Sequence, residues 1–244
     1  MAEISFWASP HARFESIAAM VSAALAWTPE GHHANILLPA VYRRWWQGDL
    51  TNRSLPPALA PRGPDDLRLI REEVESYGVG FGCWVVPGEC SREEAEMHAA
   101  AGLAAGFLAL DVEPYEGFLV KPYDRDPFDY LAVLNRRLDG IPLALSIVPQ
   151  ESGIQPLGLA LAAWLSFADN LRPQCYHTDN DALTVGRSKA YLQSYVRPVT
   201  GLPPIIPIVP HPLTEAEHFG IRPKAGRSWR RMRSGRDCDV WCVL

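Results

Sequence analysis

Residues 107–114, FLALDVEP, are the stretch from which the fold can be worked out. The apolar run predicts a buried β-strand that ends in two acids spaced two residues apart. Because side chains alternate faces along a strand, Asp111 and Glu113 should point the same way, about 6–7 Å apart. Leu108, Leu110 and Val112 should point to the opposite face and pack under a helix. Two carboxyl groups on one rigid element are typical of a site where one group keeps its proton and the other its charge.

Seven other stretches show a strand-like pattern, and a helical pattern follows nearly every one. Strands are predicted near residues 4–9, 35–42, 79–86, 106–113, 142–149, 171–177, 204–209 and 238–243. Helices are predicted near residues 13–27, 64–77, 91–105, 127–138, 156–167, 188–196 and 214–218. Eight strands at a spacing of roughly 30 residues predict one α/β domain over residues 1–244, a (βα)8 TIM barrel. An open doubly wound sheet is the alternative, although no glycine-rich phosphate-binding motif is present.

The predicted barrel lacks its final helix, because Leu244 follows directly on the eighth strand. The outer faces of strands eight and one would then have no helix over them. We expect residues 212–236, or a second copy of the chain in a homo-oligomer, to cover that gap.

The composition is that of an ordinary globular domain, with 48% hydrophobic and 21% charged residues. A net charge of -5 gives the whole chain no general attraction for nucleic acid or an anionic membrane. No apolar run approaches the roughly 20 residues of a membrane span. Residues 1–4, MAEI, lack the features of a signal peptide. We therefore expect a cytoplasmic protein, with release by a signal-independent route such as phage lysis left open.

The cysteines point to no cofactor and no zinc site, because none of their spacings suits a zinc ligand set. They are expected to be mostly buried thiols. The five are Cys83, Cys90, Cys175, Cys238 and Cys242.

The C-terminal ends of the predicted strands are rich in aromatic, acidic and amide side chains, and barrel enzymes carry their chemistry at those ends. Indole faces stack on sugar rings, while amides and carboxylates hydrogen-bond to hydroxyl groups. The mixture predicts a carbohydrate site around Asp111 and Glu113. The candidate sugar-binding residues are Trp7, Tyr42, Trp84, Gln150, Gln174, Tyr176, Asp179, His211 and Trp241.

Simpler interpretations of these residues stay open. The two acids could form only a salt-bridge network at the barrel mouth, or could hold a divalent metal. Trp7, Trp84 and Trp241 could belong to core layers. Gln174 and Tyr176 could make structural hydrogen bonds to a neighbouring strand.

The basic stretch from Arg222 to Arg236 contains seven Lys and Arg residues and no acid. It could bind a polyanion such as nucleic acid or an anionic cell-wall polymer. The favoured interpretation is a solvated connection, so nucleic acid is not the expected partner.

A fourth strand that ends Asp111-Val112-Glu113 resembles the family-25 lysozymes and, more loosely, the family-18 chitinases. The whole layout is similar to glycoside-hydrolase-like barrel domains of bacteria and phages. Those domains carry an Asp-x-Glu fourth strand, a Pro-Gln-x-Tyr sixth strand and a Pro-Ile-Ile-Pro seventh strand. The counterparts of the last two are residues 173–176, PQCY, and residues 204–207, PIIP. The resemblance covers nearly the whole chain and implies a glycoside-hydrolase-like barrel.

The chain departs from both families at acidic positions. Family-25 lysozymes end strand one with an aspartate, and this chain has Ser9 there. The family-18 pattern Asp-x-x-Asp-x-Asp-x-Glu meets Gly106 and Ala109 at its first two acids. That family follows its sixth-strand tyrosine with aspartate, whereas His177 stands here.

The expected activity is hydrolysis of a glycosidic bond in a polysaccharide or peptidoglycan-type glycan. Glu113 would be the general acid, kept protonated by the neighbouring Asp111 carboxylate and by a low dielectric. Asp111 would stay charged and orient a substrate N-acetyl group or stabilise the transition state. Since no second carboxylate stands at nucleophile distance, a substrate-assisted route is favoured. The alternatives are a non-catalytic carbohydrate-binding barrel and a metal-dependent barrel hydrolase.

Overall fold

The computed structural model of the protein describes residues 2–8, 14–41, 61, 63–112, 127–147, 160–174, 206, 208–210 and 238–242. These residues contain eight strands in one sheet. The strands are β1 Ala2–Ala8, β2 His32–Val41, β3 Gly80–Val85, β4 Leu108–Val112, β5 Leu143–Ile147, β6 Asn170–Pro173, β7 Ile208–Pro210 and β8 Cys238–Cys242.

Each of the first five strands is followed along the chain by a helix. The helices are α1 Ile17–Trp27, α2 Pro64–Ser76, α3 Arg92–Ala105, α4 Phe128–Arg137 and α5 Ala160–Phe167. Helix α1 begins later than predicted because the Ser16 hydroxyl caps it by accepting a 3.1 Å hydrogen bond from Ala19 N. The helices predicted near residues 188–196 and 214–218 lie outside the described residues.

Every neighbouring pair of strands is parallel, in the order β6-β5-β4-β3-β2-β1-β8-β7. The prediction of a parallel α/β sheet is confirmed. The order is sequential from β6 to β1 and has no reversal inside that run, unlike a doubly wound sheet.

The sheet is strongly curled. Arg172 Nη1 of β6 donates a hydrogen bond to Ser5 Oγ of β1 at 3.2 Å, although four strands lie between them in the sheet order. In a flat sheet those two strands would be about 24 Å apart, since neighbouring strands are about 4.8 Å apart. One backbone hydrogen bond, from Ile206 N to Leu171 O at 2.8 Å, also joins the segment before β7 to β6. The described structure is that of a partial TIM barrel.

The outward side chains of the strands pack against the helices and form the larger core cluster. On β1 these are Ile4, Phe6 and Ala8, all less than 5% exposed. The Phe6 ring lies 6.1 Å from that of Trp27 in α1. Strand β1 is therefore covered within a single chain. Residues 212–236 and the side chains of β8 lie outside the described structure, so a covering second copy stays a prediction.

The inward side chains form a smaller apolar cluster of Trp7, Leu37, Trp84, Val86, Ala109 and Ala144. Gly82 leaves room for the side chains of Leu37 and Phe107. A β-carbon at Gly82 would lie 2.6 Å from Leu37 Cδ2 and 2.9 Å from Phe107 Cβ. The inner face is filled by side chains, as in other small barrels.

Two of the described side chains are those of cysteines, and both are free thiols. Cys83 is fully buried, and burial raises the pKa of its thiol. None of the helices in the described ranges is long and apolar enough to cross a membrane.

Candidate functional site

Asp111 points to the inner face of the curled sheet, near the C-terminal end of β4. Its neighbours Leu110 and Val112 belong to the outer core cluster, so strand alternation directs Asp111 inward. The side chain is 2% exposed. A carboxylate at such a position needs hydrogen-bond partners.

Two side chains from the next two strands bind the Asp111 carboxylate. Ser146 Oγ of β5 donates a 2.9 Å hydrogen bond to Asp111 Oδ1. Gln174 Nε2, directly after β6, donates a 2.7 Å hydrogen bond to the same oxygen. The same Nε2 lies 3.2 Å from Ser146 Oγ, so the three side chains form one network. We call these three residues the Asp111 cluster.

Strand register explains why the Asp111 cluster forms. Asp111 is the ladder partner of Ser146 in the β4–β5 pair, so their side chains are neighbours on one face. Gln174 N donates a 2.9 Å hydrogen bond to Ile147 O, which fixes the backbone beside the end of β5. Two donors on one oxygen stabilise the negative charge of Asp111 and fix its orientation.

Glu113 lies immediately after β4 and outside the described residues. Strand alternation still predicts that its side chain follows Asp111 on the inner face. Five candidate sugar-binding residues also lie outside the described structure: Tyr42, Gln150, Tyr176, Asp179 and His211. The backbone of Trp241 is described in β8, where it pairs with Trp7 and Pro210.

Trp7 and Trp84 belong to the apolar cluster on the inner face of the sheet, the face to which Asp111 points. Trp84 is the ladder partner of Ala109, the inward residue that precedes Asp111 on β4. The two indole rings lie 6.3 Å apart, and Trp84 Nε1 donates a 3.1 Å hydrogen bond to Ala8 O. Their exposed fractions are 0% and 3%. Both indoles are thus buried in the inner apolar cluster.

Arg172 is a buried inward residue that the sequence analysis missed. It is 6% exposed, and its guanidinium carbon lies 4.7 Å from the centre of the Phe107 ring. Besides its bond to Ser5, its Nε donates a 2.8 Å hydrogen bond to Asn170 Oδ1. Alternation along the sixth predicted strand could have found it, because it stands two residues before Gln174.

The described residues offer no group of three histidine, cysteine or acidic side chains that could hold a metal ion. The described partners of Asp111 are a hydroxyl and an amide. The arrangement so far suits a fixed negative charge near the mouth of a barrel.

No protein-family model and no curated protein matches the chain. Among solved structures, a xylanase and alpha-amylase inhibitor protein from Scadoxus multiflorus is similar, with a TM-score of 0.52 and 14% identity. The match covers 99% of this chain and 92% of that protein. A chitinase from Ipomoea carnea is similar with a TM-score of 0.52 and 14% identity, over 100% and 95% of the chains. At this identity the likeness concerns the fold alone, and it agrees with the partial TIM barrel formed by the described residues.

Proposed function

We propose that this protein hydrolyses glycosidic bonds in a glycan that contains N-acetyl sugars, with Glu113 as the general acid. The observation that carries the proposal is the Asp111 cluster, a buried carboxylate held by two donors two residues before Glu113. Glycosidases of this kind need a fixed negative charge beside the protonated group.

Asp111 has the role of that fixed charge. Its orientation is set by Ser146 and Gln174, so little reorganisation is needed when positive charge develops on the sugar. It can also hold the N-acetyl group of a substrate that supplies its own nucleophile. This route needs no second carboxylate on the protein.

Gln174 takes a supporting role in this mechanism rather than the sugar-binding role first expected from the sequence. Its amide nitrogen is bound to Asp111 and Ser146 and lies in a 6% exposed side chain. We propose that the sugar is bound instead at the strand ends above the Asp111 cluster. The residues for that contact are Tyr42, Gln150, Tyr176, Asp179, His211 and Trp241.

We also infer that the curled sheet closes as an eight-stranded TIM barrel that lacks the final helix. The hydrogen bond from Ile206 N to Leu171 O and the pairing of β8 with β1 support this inference. Closure would bring the ends of β6 and β7 beside β4 and β5 at one mouth.

The test is Glu113→Gln, assayed on N-acetylglucosamine oligomers and on peptidoglycan. Loss of a general acid reduces turnover by about 10²- to 10⁴-fold, while the unfolding midpoint should stay near that of the wild type. Glu30→Gln is the control, because Glu30 is exposed and precedes β2 at the opposite end of the sheet. Unchanged turnover in Glu113→Gln would reject the general-acid role.

A second candidate function is glycan or protein binding without catalysis. Ala109 favours it, because this position, acidic in the family-18 pattern, is here buried in the inner apolar cluster. The inhibitor protein from Scadoxus multiflorus has a similar fold. Calorimetric binding of N-acetylglucosamine oligomers without product in overnight digests would favour binding. Product release that depends on Glu113 would favour hydrolysis.

A further inference from the structure

Residues 86–90 connect β3 to α3 at the same end of the sheet as the Asp111 cluster. We call them the β3–α3 loop. Val86 is 1% exposed and belongs to the inner apolar cluster with Trp84. The loop therefore begins on the inner wall, and it leaves β3, the strand next to the one that carries Asp111.

One buried carboxylate holds this loop. Glu94 Oε1 accepts a 2.7 Å hydrogen bond from Gly88 N. Glu94 Oε2 accepts hydrogen bonds from Glu89 N at 3.0 Å and from Cys90 N at 2.7 Å. Three consecutive backbone amides thus bind one side chain that is 8% exposed.

The start of α3 holds Glu94 in place. Glu94 N donates a 3.1 Å hydrogen bond to the hydroxyl of Ser91, the N-cap residue. In a capping box the glutamate side chain would return to the N-cap amide. Here it binds the three amides that precede the N-cap instead, so the cap extends over residues 88–90 of the loop.

The backbone of Cys90 shows what this contact achieves. Its φ angle is +50°, in the left-handed region that residues with a β-carbon rarely adopt. The hydrogen bond from Cys90 N to Glu94 helps to hold this unfavourable conformation. Without an acceptor at Glu94, the backbone of Cys90 should leave this left-handed conformation.

Burial affects the pKa of Glu94 and that of Tyr130. Tyr130 of α4 is fully buried, with its hydroxyl 2.6 Å from His98 Nδ1 of α3. Burial raises the pKa of Tyr130, and the charge of Glu94 raises it further. Burial also raises the pKa of Glu94, against the effect of its three amide hydrogen bonds. A buried carboxylate needs hydrogen-bond donors such as these three amides. The conformation of the loop and the burial of the Glu94 carboxylate therefore depend on each other.

We propose that Glu94 is a positioning residue of the glycan site, which sets the shape of the β3–α3 loop and so the wall of the mouth beside Asp111. The assignment to a glycan site rests on the proposed function. The contact of Glu94 with the loop does not depend on the proposed function. The loop contact and the assignment to a glycan site are therefore tested separately.

The first test is amide hydrogen exchange, resolved by peptide mass spectrometry over residues 86–91. In the wild type, the amides of Gly88, Glu89 and Cys90 should be protected, and exchange at the rate of a free chain would overturn the proposal whether or not any variant folds. In Glu94→Gln they should exchange about 10- to 100-fold faster, because an amide side chain cannot accept from all three. The control is Glu93→Gln, an exposed neighbour with the same change of charge. Equal exchange in both variants would also overturn it.

The second test separates a site role from a merely structural one. With tri-N-acetylchitotriose as substrate, Glu94→Gln should raise KM at least fivefold and leave kcat within twofold, whereas Glu93→Gln should change neither. Equal KM values in the two variants would overturn the assignment to the site. If the wild type neither binds nor cleaves this sugar, the proposed function and the site assignment fail together. The exchange data then still decide whether Glu94 holds the loop.

Discussion

Gln174, directly after β6, donates a 2.7 Å hydrogen bond to Asp111 of β4 across the whole width of β5. In a flat sheet the backbones of these two strands would be nearly 10 Å apart, by about 4.8 Å per strand. The curl of the sheet and the length of the glutamine side chain together make this contact. Ser146 of β5 lies between the two and binds both.

Replacing Gln174 should weaken the fold as well as the site. Gln174→Met keeps the length of the side chain and removes the donor, so the buried Asp111 carboxylate loses one of its two described hydrogen bonds. The free energy of unfolding should fall by about 1–3 kcal/mol, measured by urea denaturation at pH 7.

A double-mutant cycle with Ser146→Ala tests whether the two donors act through one oxygen. Both bind Asp111 Oδ1 and each other, so their effects should differ from a simple sum by about 0.5–3 kcal/mol. Additive effects would mean that the two donors act independently.

Arg172 and Arg137 should respond very differently to replacement by alanine. Arg172 lies inside the barrel against Phe107 and binds Ser5, so Arg172→Ala leaves a cavity and removes a donor. We expect a loss of about 2–5 kcal/mol in the free energy of unfolding.

Arg137 is the matched control, because it makes two hydrogen bonds to Glu96 at 2.7 and 3.0 Å on the surface. Its side chain is 53% exposed, so water replaces the lost partner at little cost. Thermal unfolding midpoints should therefore fall clearly for Arg172→Ala and hardly for Arg137→Ala. Similar midpoints for the two variants would contradict a structural role for the buried arginine.

Alternation along strands was the part of the structure that local sequence could predict. On β4, Leu110 and Val112 face the helices while Asp111 faces inward, as the two-residue period requires. The same rule could have placed Arg172 inside, but a charged residue in a strand does not reveal its partners. Two of those partners, Ser5 of β1 and Phe107 just before β4, are far away in sequence.

The contacts of the Asp111 cluster were beyond the reach of the sequence for a similar reason. That Gln174 binds Asp111 depends on strand register and on curl, and both arise from packing of the whole sheet. The role of Glu94 was partly visible, because Ser91 and Glu94 have the spacing of a capping box. Only the three-dimensional path of residues 88–90 shows where its carboxylate goes.

His98 should make the stability of the protein depend on pH. It is 1% exposed between α3 and α4, and burial lowers its pKa to about 3 from an ordinary value of 6.5. The unfolded chain therefore binds a proton below pH 6.5 that the folded protein does not take up until about pH 3. The stabilisation that depends on neutral His98 is fully present above pH 6.5, and it is lost as the pH falls from 6.5 to about 3. The full loss is on the order of 5 kcal/mol.

The measurement is urea denaturation of the wild type and of His98→Gln at intervals between pH 4 and pH 8. Glutamine does not titrate and can still bind the Tyr130 hydroxyl, which lies 2.6 Å from His98 Nδ1. Other titrating groups, such as Glu94 with its raised pKa, contribute to both proteins and cancel in the difference. The stability of the wild type relative to His98→Gln should therefore fall steadily below pH 6.5. A constant difference across this range would mean that His98 takes up its proton as readily in the folded protein as in the unfolded chain.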